Sequence, residues 1–268
     1  MSGGHYDHCI MIEQVEIHKF TSEYKEAHKI CIQILQEAPP TQKPYIYALA
    51  LANAAEIEVS MGTSKNDVLE KVDTARQFFT KLRCARDVIF CDAVLADLHW
   101  REGNILAAKS LLQRCIKISM GKAIHITRYC LEQLSDVSRW TSIDSSSAIV
   151  LLVYSVKLRE KLGIHKALQF LGDLFIIRDD EETAIILYTL ALTGFTELDV
   201  HRSRGECMLR LGDISKRHSD LSKAVEHWET ARPLFERSSQ TKQVQNIDER
   251  LASVGEDVRE QYRKTLAC

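Results

Sequence analysis

Apolar and polar positions occur in alternating blocks along the chain, and residues 168–191 show the arrangement most clearly. This stretch reads LQFLGDLFIIRDDEETAIILYTLA, in which two apolar runs are separated by four consecutive acidic residues. Gly172 lies inside the first run, and Ala184 lies at the start of the second. Apolar runs of this length, joined by a short polar turn, predict two antiparallel helices.

The same arrangement returns at a nearly fixed interval. Residues 208–231 repeat it 40 residues later, with Gly212 in the place of Gly172 and Trp228 in the place of Tyr188. Glycine-equivalent positions continue through the chain at intervals of 41, 40, 39, 37 and 40 residues. These positions are Val15, Glu56, Ala96, Ser135, Gly172 and Gly212. Self-similarity at such a period is typical of repeat architectures, so the pattern predicts about six helical hairpins.

The repeated residues resemble the tetratricopeptide repeat, whose signature is W-x2-L-G-x2-Y, then A-x3-F, then P. The chain has Leu168-x2-Leu171-Gly172-x2-Phe175, followed by Ala184-x3-Tyr188. The copy at 208–231 also matches, although Ser215 replaces the first aromatic residue. A period near 40 exceeds the usual 34 and is similar to that of longer-helix variants of the family.

This resemblance implies an all-α fold, a right-handed α-solenoid of about six hairpins. The array is expected to cover residues 9–242, and a C-terminal capping helix in the same domain is expected over residues 243–266. Two alternatives remain, a HEAT or armadillo array with a similar period and a non-repeating helical bundle.

The small residues of the pattern predict where helices approach closely. Gly172 and Gly212 are expected to leave room for close packing on the first helix of their hairpins. The large residues Phe175, Tyr188 and Trp228 are expected to fill the space between hairpins. Three turns are also predicted, at 101–104, 178–181 and 217–220, each with a residue able to cap the next helix. The candidates are Asn104, the acids of 179–181 and Asp220. Pro233 is expected to kink or stop a late helix.

Composition narrows the functional classes. The 35 basic and 37 acidic residues are nearly balanced, so we expect no nucleic-acid partner. The longest uncharged stretch, near residues 183–196, is too short to cross a bilayer, so we expect no membrane partner. No secretory signal is visible, and the eight cysteines lack C-x-x-C spacing. They are therefore expected to be reduced core residues of a cytoplasmic protein, with zinc binding as the weaker alternative.

Residue patterns typical of catalysis are missing from the sequence. There is no phosphate-binding loop, dinucleotide fingerprint, H-E-x-x-H or G-x-S-x-G motif. The acids of 179–182 are interpreted as a solvated turn at a helix start, and His5, Asp7 and His8 as surface residues near a chain end. We therefore expect no enzyme activity, no cofactor and no metal.

In tetratricopeptide arrays, the first helices of successive hairpins line a concave groove. The resemblance places an aspartate there in four hairpins, with aromatic residues and arginine beside it. The residues expected to contact a peptide are Asp97, Trp100, Tyr129, Asp136, Arg139, Trp140, Asp173 and Asp213. Alternatively, the aspartates serve the repeat's own hydrogen bonding, and both tryptophans pack under a neighbouring hairpin. Asn53 alone does not make the Lys/Asn clamp used for chaperone tails.

Two functions follow from these observations. The first is a non-enzymatic adaptor that holds a protein or peptide partner in the groove. The second rests on residues 201–251, which resemble helical-repeat tails of fungal proteins that follow a NOD-like-receptor-type nucleotide-binding module. That resemblance implies a ligand-sensing regulatory region of a signalling NTPase. The partner and the oligomeric state are not determined by the sequence.

Overall fold

Helices account for all regular secondary structure in the residues that the computed structural model describes, which are 3–63, 65–142 and 144–255. Within these ranges the chain forms thirteen α-helices and no strand. The chain divides into two compact units, residues 1–151 and 152–268, and the division falls inside the eighth helix. The predicted all-α class is therefore confirmed.

The first unit is built from helices that pack on their neighbours in the sequence. These helices are α1 (Gly3–Thr21), α2 (Tyr24–Glu37), α3 (Pro44–Met61), α4 (Lys65–Lys81), α5 (Ala85–Arg101), α6 (Ile105–Ser119), α7 (Ile124–Thr141) and the start of α8 (Ser146–Leu158). In addition, α1 contacts α3, α3 contacts α5, and α5 contacts α7. We call α1, α3, α5 and α7 the first-helix layer. Direct contact between alternate helices is the packing expected of stacked hairpins.

The second unit continues the same order of helices. After the end of α8 it contains α9 (Lys161–Ile177), α10 (Glu181–Glu197), α11 (His201–Arg217), α12 (Leu221–Arg237) and α13 (Thr241–Ala252). Each of α9 to α12 packs on the next helix in the chain. Helix α13 covers the start of the predicted capping helix at 243–266, and residues 256–266 of that prediction lie outside the described residues.

The turns between helices mostly use one residue in the left-handed region. Asp179 between α9 and α10 has φ 63°, and Ser219 between α11 and α12 has φ 62°. Beyond Asp179, the amide of Asp180 donates to Phe175 O at 2.9 Å, which satisfies a carbonyl at the helix end. The three predicted turns all occur between helices. Asp180 and Asp220 cap the helices that follow, whereas Asn104 makes no side-chain cap bond.

Of the packing predictions, one is confirmed with an addition and one is wrong. Tyr188 shares a buried cluster with Leu211 of the next hairpin, and Trp228 shares one with Ile247 of α13. Each ring also packs against the glycine of its own helix pair. A Cβ added at Gly172 would be 2.8 Å from a ring carbon of Tyr188. Pro233 does not stop α12, which continues to Arg237. The predicted close approach at the glycines is confirmed. Each glycine makes room for an aromatic ring, and Gly212 also makes room for the backbone oxygen of Ala224.

Candidate functional site

A Leu-Gly-Asp sequence on α11 forms the centre of a recurring polar contact. Gly212 leaves space for Trp228 of α12, which is fully buried. The indole Nε1 of Trp228 donates to Asp213 Oδ1 at 3.2 Å. From α13, Arg250 donates to both oxygens of the same carboxylate, at 2.6 and 3.0 Å. Asp213 thus joins three successive helices through one side chain.

The same contact occurs one hairpin earlier. Tyr188 Oη on α10 donates to Asp173 Oδ1 at 2.7 Å, and Arg210 Nε on α11 donates to that oxygen at 3.1 Å. In both copies the aromatic residue follows the aspartate by 15 residues and the arginine follows it by 37. Asp173 is 7% exposed. Because charge-assisted hydrogen bonds are stronger than neutral ones, the two copies of this contact tie α9 and α10 to α11, and α11 and α12 to α13.

In the first unit, the predicted site residues of α5 and α7 form two adjacent contacts. Asp97, which is 1% exposed, accepts from Arg101 Nε at 3.1 Å and from Tyr129 Oη at 3.2 Å. Asp136 accepts from Trp100 Nε1 at 2.9 Å and is also bound by Arg139. Both aspartates of this unit are therefore held by groups of the same chain.

Trp140 differs from the other predicted site residues because its side chain faces solvent. It is 58% exposed, near the end of α7. The guanidinium carbon of Arg139 lies 5.3 Å from its ring centroid, a distance compatible with a cation–π interaction. Since Arg139 also binds Asp136, the tryptophan has a fixed neighbour on one side. Trp140 is consequently the predicted residue best placed to meet another molecule.

Taken together, the structure brings six of the eight predicted residues into one region of α5 and α7. These are Asp97, Trp100, Tyr129, Asp136, Arg139 and Trp140. Asp173 and Asp213 belong to the second unit and bind Arg210 and Arg250 there. The expectation that all eight contact a peptide stays a prediction. The four aspartates make the intramolecular hydrogen bonds that the alternative interpretation described.

The sequence analysis did not identify Arg210 and Arg250 as partners of the aspartates. A signal was present in the sequence. Arg210 precedes Gly212 by two residues, and Arg250 stands 40 residues after Arg210, at the same place in the repeat. A recurring basic residue at one place in the repeat indicates a recurring acidic partner. Only the packing distance between hairpins shows which acid that is.

A second network of ionic side chains links α9 and α11. Glu206 accepts from Gln169 Nε2 at 2.7 Å and from Arg202 Nε at 2.9 Å, and Lys166 Nζ lies 3.9 Å away. Burial alone would raise the pKa of Glu206, but the two cations and the amide outweigh it and hold that pKa well below its usual range. Glu206 is therefore a structural carboxylate and not a proton donor.

The first-helix layer of the first unit contains a comparable network. Lys19 Nζ of α1 lies 2.5 Å from Glu56 Oε2 and donates to Asn53 Oδ1 at 2.6 Å, both on α3. It also lies 5.4 Å from the ring centroid of Phe90 on α5. Burial would lower the pKa of Lys19, but Glu56 and Glu16 raise it to about 12. Asn53, noted above as an isolated amide, is thus bound within the chain.

Among the residues that the structure describes, two of the remaining candidate groups contact other side chains of the chain. Glu181 of the acidic turn binds Arg217 and, at 2.7 Å, His218 Nε2. His8 is buried, so the expectation of a surface residue is wrong for it, and its Nε2 lies 3.6 Å from Glu37 Oε2. The side chains of His5 and Asp7 lie outside the described residues. In the described part of the chain, no group of three or more His, Cys, Asp or Glu side chains could hold a metal ion. Nor does any described helix have the length and apolarity needed to cross a membrane.

Most of the cysteines are core residues, as predicted. In the described ranges every cysteine is a free thiol, and the buried ones are Cys31, Cys91, Cys115, Cys130 and Cys207. Burial raises the pKa of Cys31 and of Cys91 to about 12, so these thiols stay protonated at neutral pH. Cys9 is exposed and Cys84 is half-buried, so the prediction does not hold for these two.

The described helices define an all-α protein with a helical repeat-like arrangement, in which consecutive helices pack on each other. Compared with family models and with curated proteins, the chain matches no family model and no curated protein. The likeness to tetratricopeptide repeats therefore depends on the residue pattern and on the recurring contacts of that pattern.

Proposed function

We propose that this chain is a non-enzymatic, tetratricopeptide-like scaffold that binds a peptide or helix of another protein. In this proposal about six hairpins form a right-handed array, and the partner is held at the first-helix layer. The supporting observation is Trp140, a large aromatic side chain that is 58% exposed beside a network of fixed polar contacts. Tryptophan and arginine are the residue types that most often dominate the energy of protein interfaces.

The aspartates take a positioning role in this proposal. Asp136 holds both Trp100 and Arg139, so the surface around Trp140 is largely pre-formed before a partner arrives. A pre-formed surface loses less conformational entropy on binding than a flexible one. A partner segment with a large apolar side chain would bury the exposed indole, while Arg139 lines the edge of the contact.

The test compares Trp140→Ala with Leu106→Ala. Leu106 is a suitable control because it lies in the same unit, on α6, and is 85% exposed. Full-length chains of each form are crosslinked in cells of the source organism, and partner peptides are quantified by mass spectrometry. We expect Trp140→Ala to weaken recovery of a partner about 30-fold, the size of a typical hot spot of about 2 kcal/mol. Leu106→Ala should leave recovery unchanged.

Equal recovery with Trp140→Ala and the native chain would exclude this surface as the binding site. Charge reversal of Asp136 is less informative than removal of the indole. It would also break the bonds to Trp100 and Arg139, so a loss of binding could reflect local unfolding.

A further inference from the structure

The side of α10 that faces solvent is apolar. The helix buries Ala184, Tyr188 and Ala191 completely against its neighbours. On the other side, Ile186 is 60% exposed and Leu190 is 53% exposed, one turn apart. Residues 183–196 contain no charged side chain at all, which at 1.5 Å per residue corresponds to about 21 Å of helix.

Threonines on α10 add to the apolar character of this side. The hydroxyl of Thr189 donates to Ile185 O at 2.8 Å, and that of Thr193 donates to Thr189 O at 3.0 Å. Thr196 makes the same bond to Leu192 O at 2.7 Å. These hydroxyls are satisfied by the helix backbone, so the methyl groups of the side chains are left to contact another molecule.

Helix α12, which is equivalent to α10 one repeat later, has charged or polar residues at the positions where α10 has exposed aliphatic ones. Moving 40 residues from Ile186 and Leu190 leads to Glu226 and Thr230 on α12, and both are exposed. Glu229 stands where α10 has Thr189. Since the fold accepts charged and polar residues at these places, the packing of the hairpin does not require the aliphatic residues of α10.

The ends of this apolar side are acidic. Glu182 lies at its start and Glu197 at its end, and both are exposed. A second copy of α10 would bring acids against acids in either orientation, which is unfavourable. An anionic lipid surface would be repelled for the same reason. Charge complementarity instead favours an occupant with basic residues on both sides of an apolar centre.

The exposed residues also indicate the shape of the occupant. Ile186 and Leu190 form one ridge at i, i+4 spacing, and Thr189 and Thr193 form a lower one beside it. Such ridges and grooves accept the side chains of another helix. An extended strand would lack partners for its backbone, because the carbonyls and amides of α10 are engaged within the helix.

We propose that the outer side of α10, formed by Ile186, Thr189, Leu190 and Thr193, binds an amphipathic α-helix of another protein. This helix has an apolar stripe of about four turns and Lys or Arg at both ends. The inference extends the proposed scaffold function to a second surface, separate from the one around Trp140.

The test uses a phage-displayed library of helical peptides as the probe, selected on the full chain. Selected peptides are then measured by fluorescence anisotropy against Ile186→Glu/Leu190→Thr. This variant places on α10 the residues that α12 carries at the same positions, so the fold should be retained, as circular dichroism would verify. Ile177→Glu is the matched control, since Ile177 is 42% exposed in the same unit but lies at the end of α9. A Trp140→Ala chain is measured in parallel.

We expect peptides with aliphatic residues at i, i+3 or i+4 and i+7 and with basic ends. Their affinity should fall at least tenfold with the α10 variant, and it should not change with Ile177→Glu or Trp140→Ala. Loss of binding with Trp140→Ala alone would support the proposed function and overturn this second surface. Enrichment of peptides without basic ends, or no enrichment, would also overturn it. If the chain forms a dimer in light scattering, or binds phosphatidylcholine vesicles, and the α10 variant abolishes this, the surface belongs to that other occupant.

Discussion

Replacing Gly212 with alanine is the most direct test of how the hairpins pack. An added Cβ would lie 2.5 Å from Trp228 Nε1, 2.6 Å from its Cδ1 and 3.2 Å from the backbone oxygen of Ala224. Non-bonded carbon atoms normally lie about 3.5–4.0 Å apart. The indole would therefore have to move by about 1 Å, although it is fully buried and hydrogen-bonded to Asp213.

The expected change in the free energy of unfolding is the balance of two destabilising effects and one stabilising effect. Overfilling a packed core typically costs about 1–3 kcal/mol. Weakening the bond from Trp228 to the Asp213 carboxylate adds about 1.5 kcal/mol. Alanine is favoured over glycine inside a helix by about 1 kcal/mol, which offsets part of the cost. We therefore expect Gly212→Ala to lower the free energy of unfolding by about 2 kcal/mol.

Two other glycines provide graded controls for this measurement. At Gly172 the nearest atom to an added Cβ is a Tyr188 ring carbon at 2.8 Å, and at Gly205 it is a Phe235 ring carbon at 3.2 Å. Urea unfolding followed by far-UV circular dichroism should rank the loss of stability as Gly212→Ala, then Gly172→Ala, then Gly205→Ala. A Gly212→Ala chain as stable as the native protein, or a reversed order, would refute this account of the packing.

Three further predictions concern charge and turns. Because the pKa of Glu206 is lowered in the folded state, its carboxylate stabilises the folded chain above about pH 4.5, and this stabilisation is lost as the pH falls. Glu206→Gln should flatten this part of a plot of urea midpoint against pH, and an unchanged slope would contradict it. A double-mutant cycle of Asp213→Asn and Arg250→Gln should give a coupling of about 1–2 kcal/mol in urea unfolding, whereas additive effects would show the pair to be independent. Asp179→Gly should raise the thermal midpoint, since its φ of 63° favours glycine by about 1 kcal/mol, and a lower midpoint would count against the reasoning.

Much of the fold could be predicted because helix and turn signals are local. The apolar runs of 168–191 became α9 and α10, and the acids between them became the turn and the first residues of α10, with Asp180 capping that helix. Pro233 was harder to predict. Proline weakens a helix locally, but the buried residues around it, such as Trp228 and Phe235, hold α12 together by tertiary packing.

The candidate site could be predicted only in part. The repeat pattern placed acids on first helices, since one residue after each glycine-equivalent position falls on a fixed helix face. It did not show that Asp173 binds Arg210, because residues 37 apart meet only when two hairpins stack at a particular distance. Similarly, the apolar composition of α10 is readable from the sequence, but the exposure of Ile186 is not.

The sequence by itself determined the helices, their turns and the small residues where rings need room, because these depend on periodicity and backbone preferences within a few residues. Only the tertiary structure decided which acid binds which base and which side of each helix meets solvent. Those properties depend on how neighbouring helices approach one another, and no short stretch of sequence contains that information.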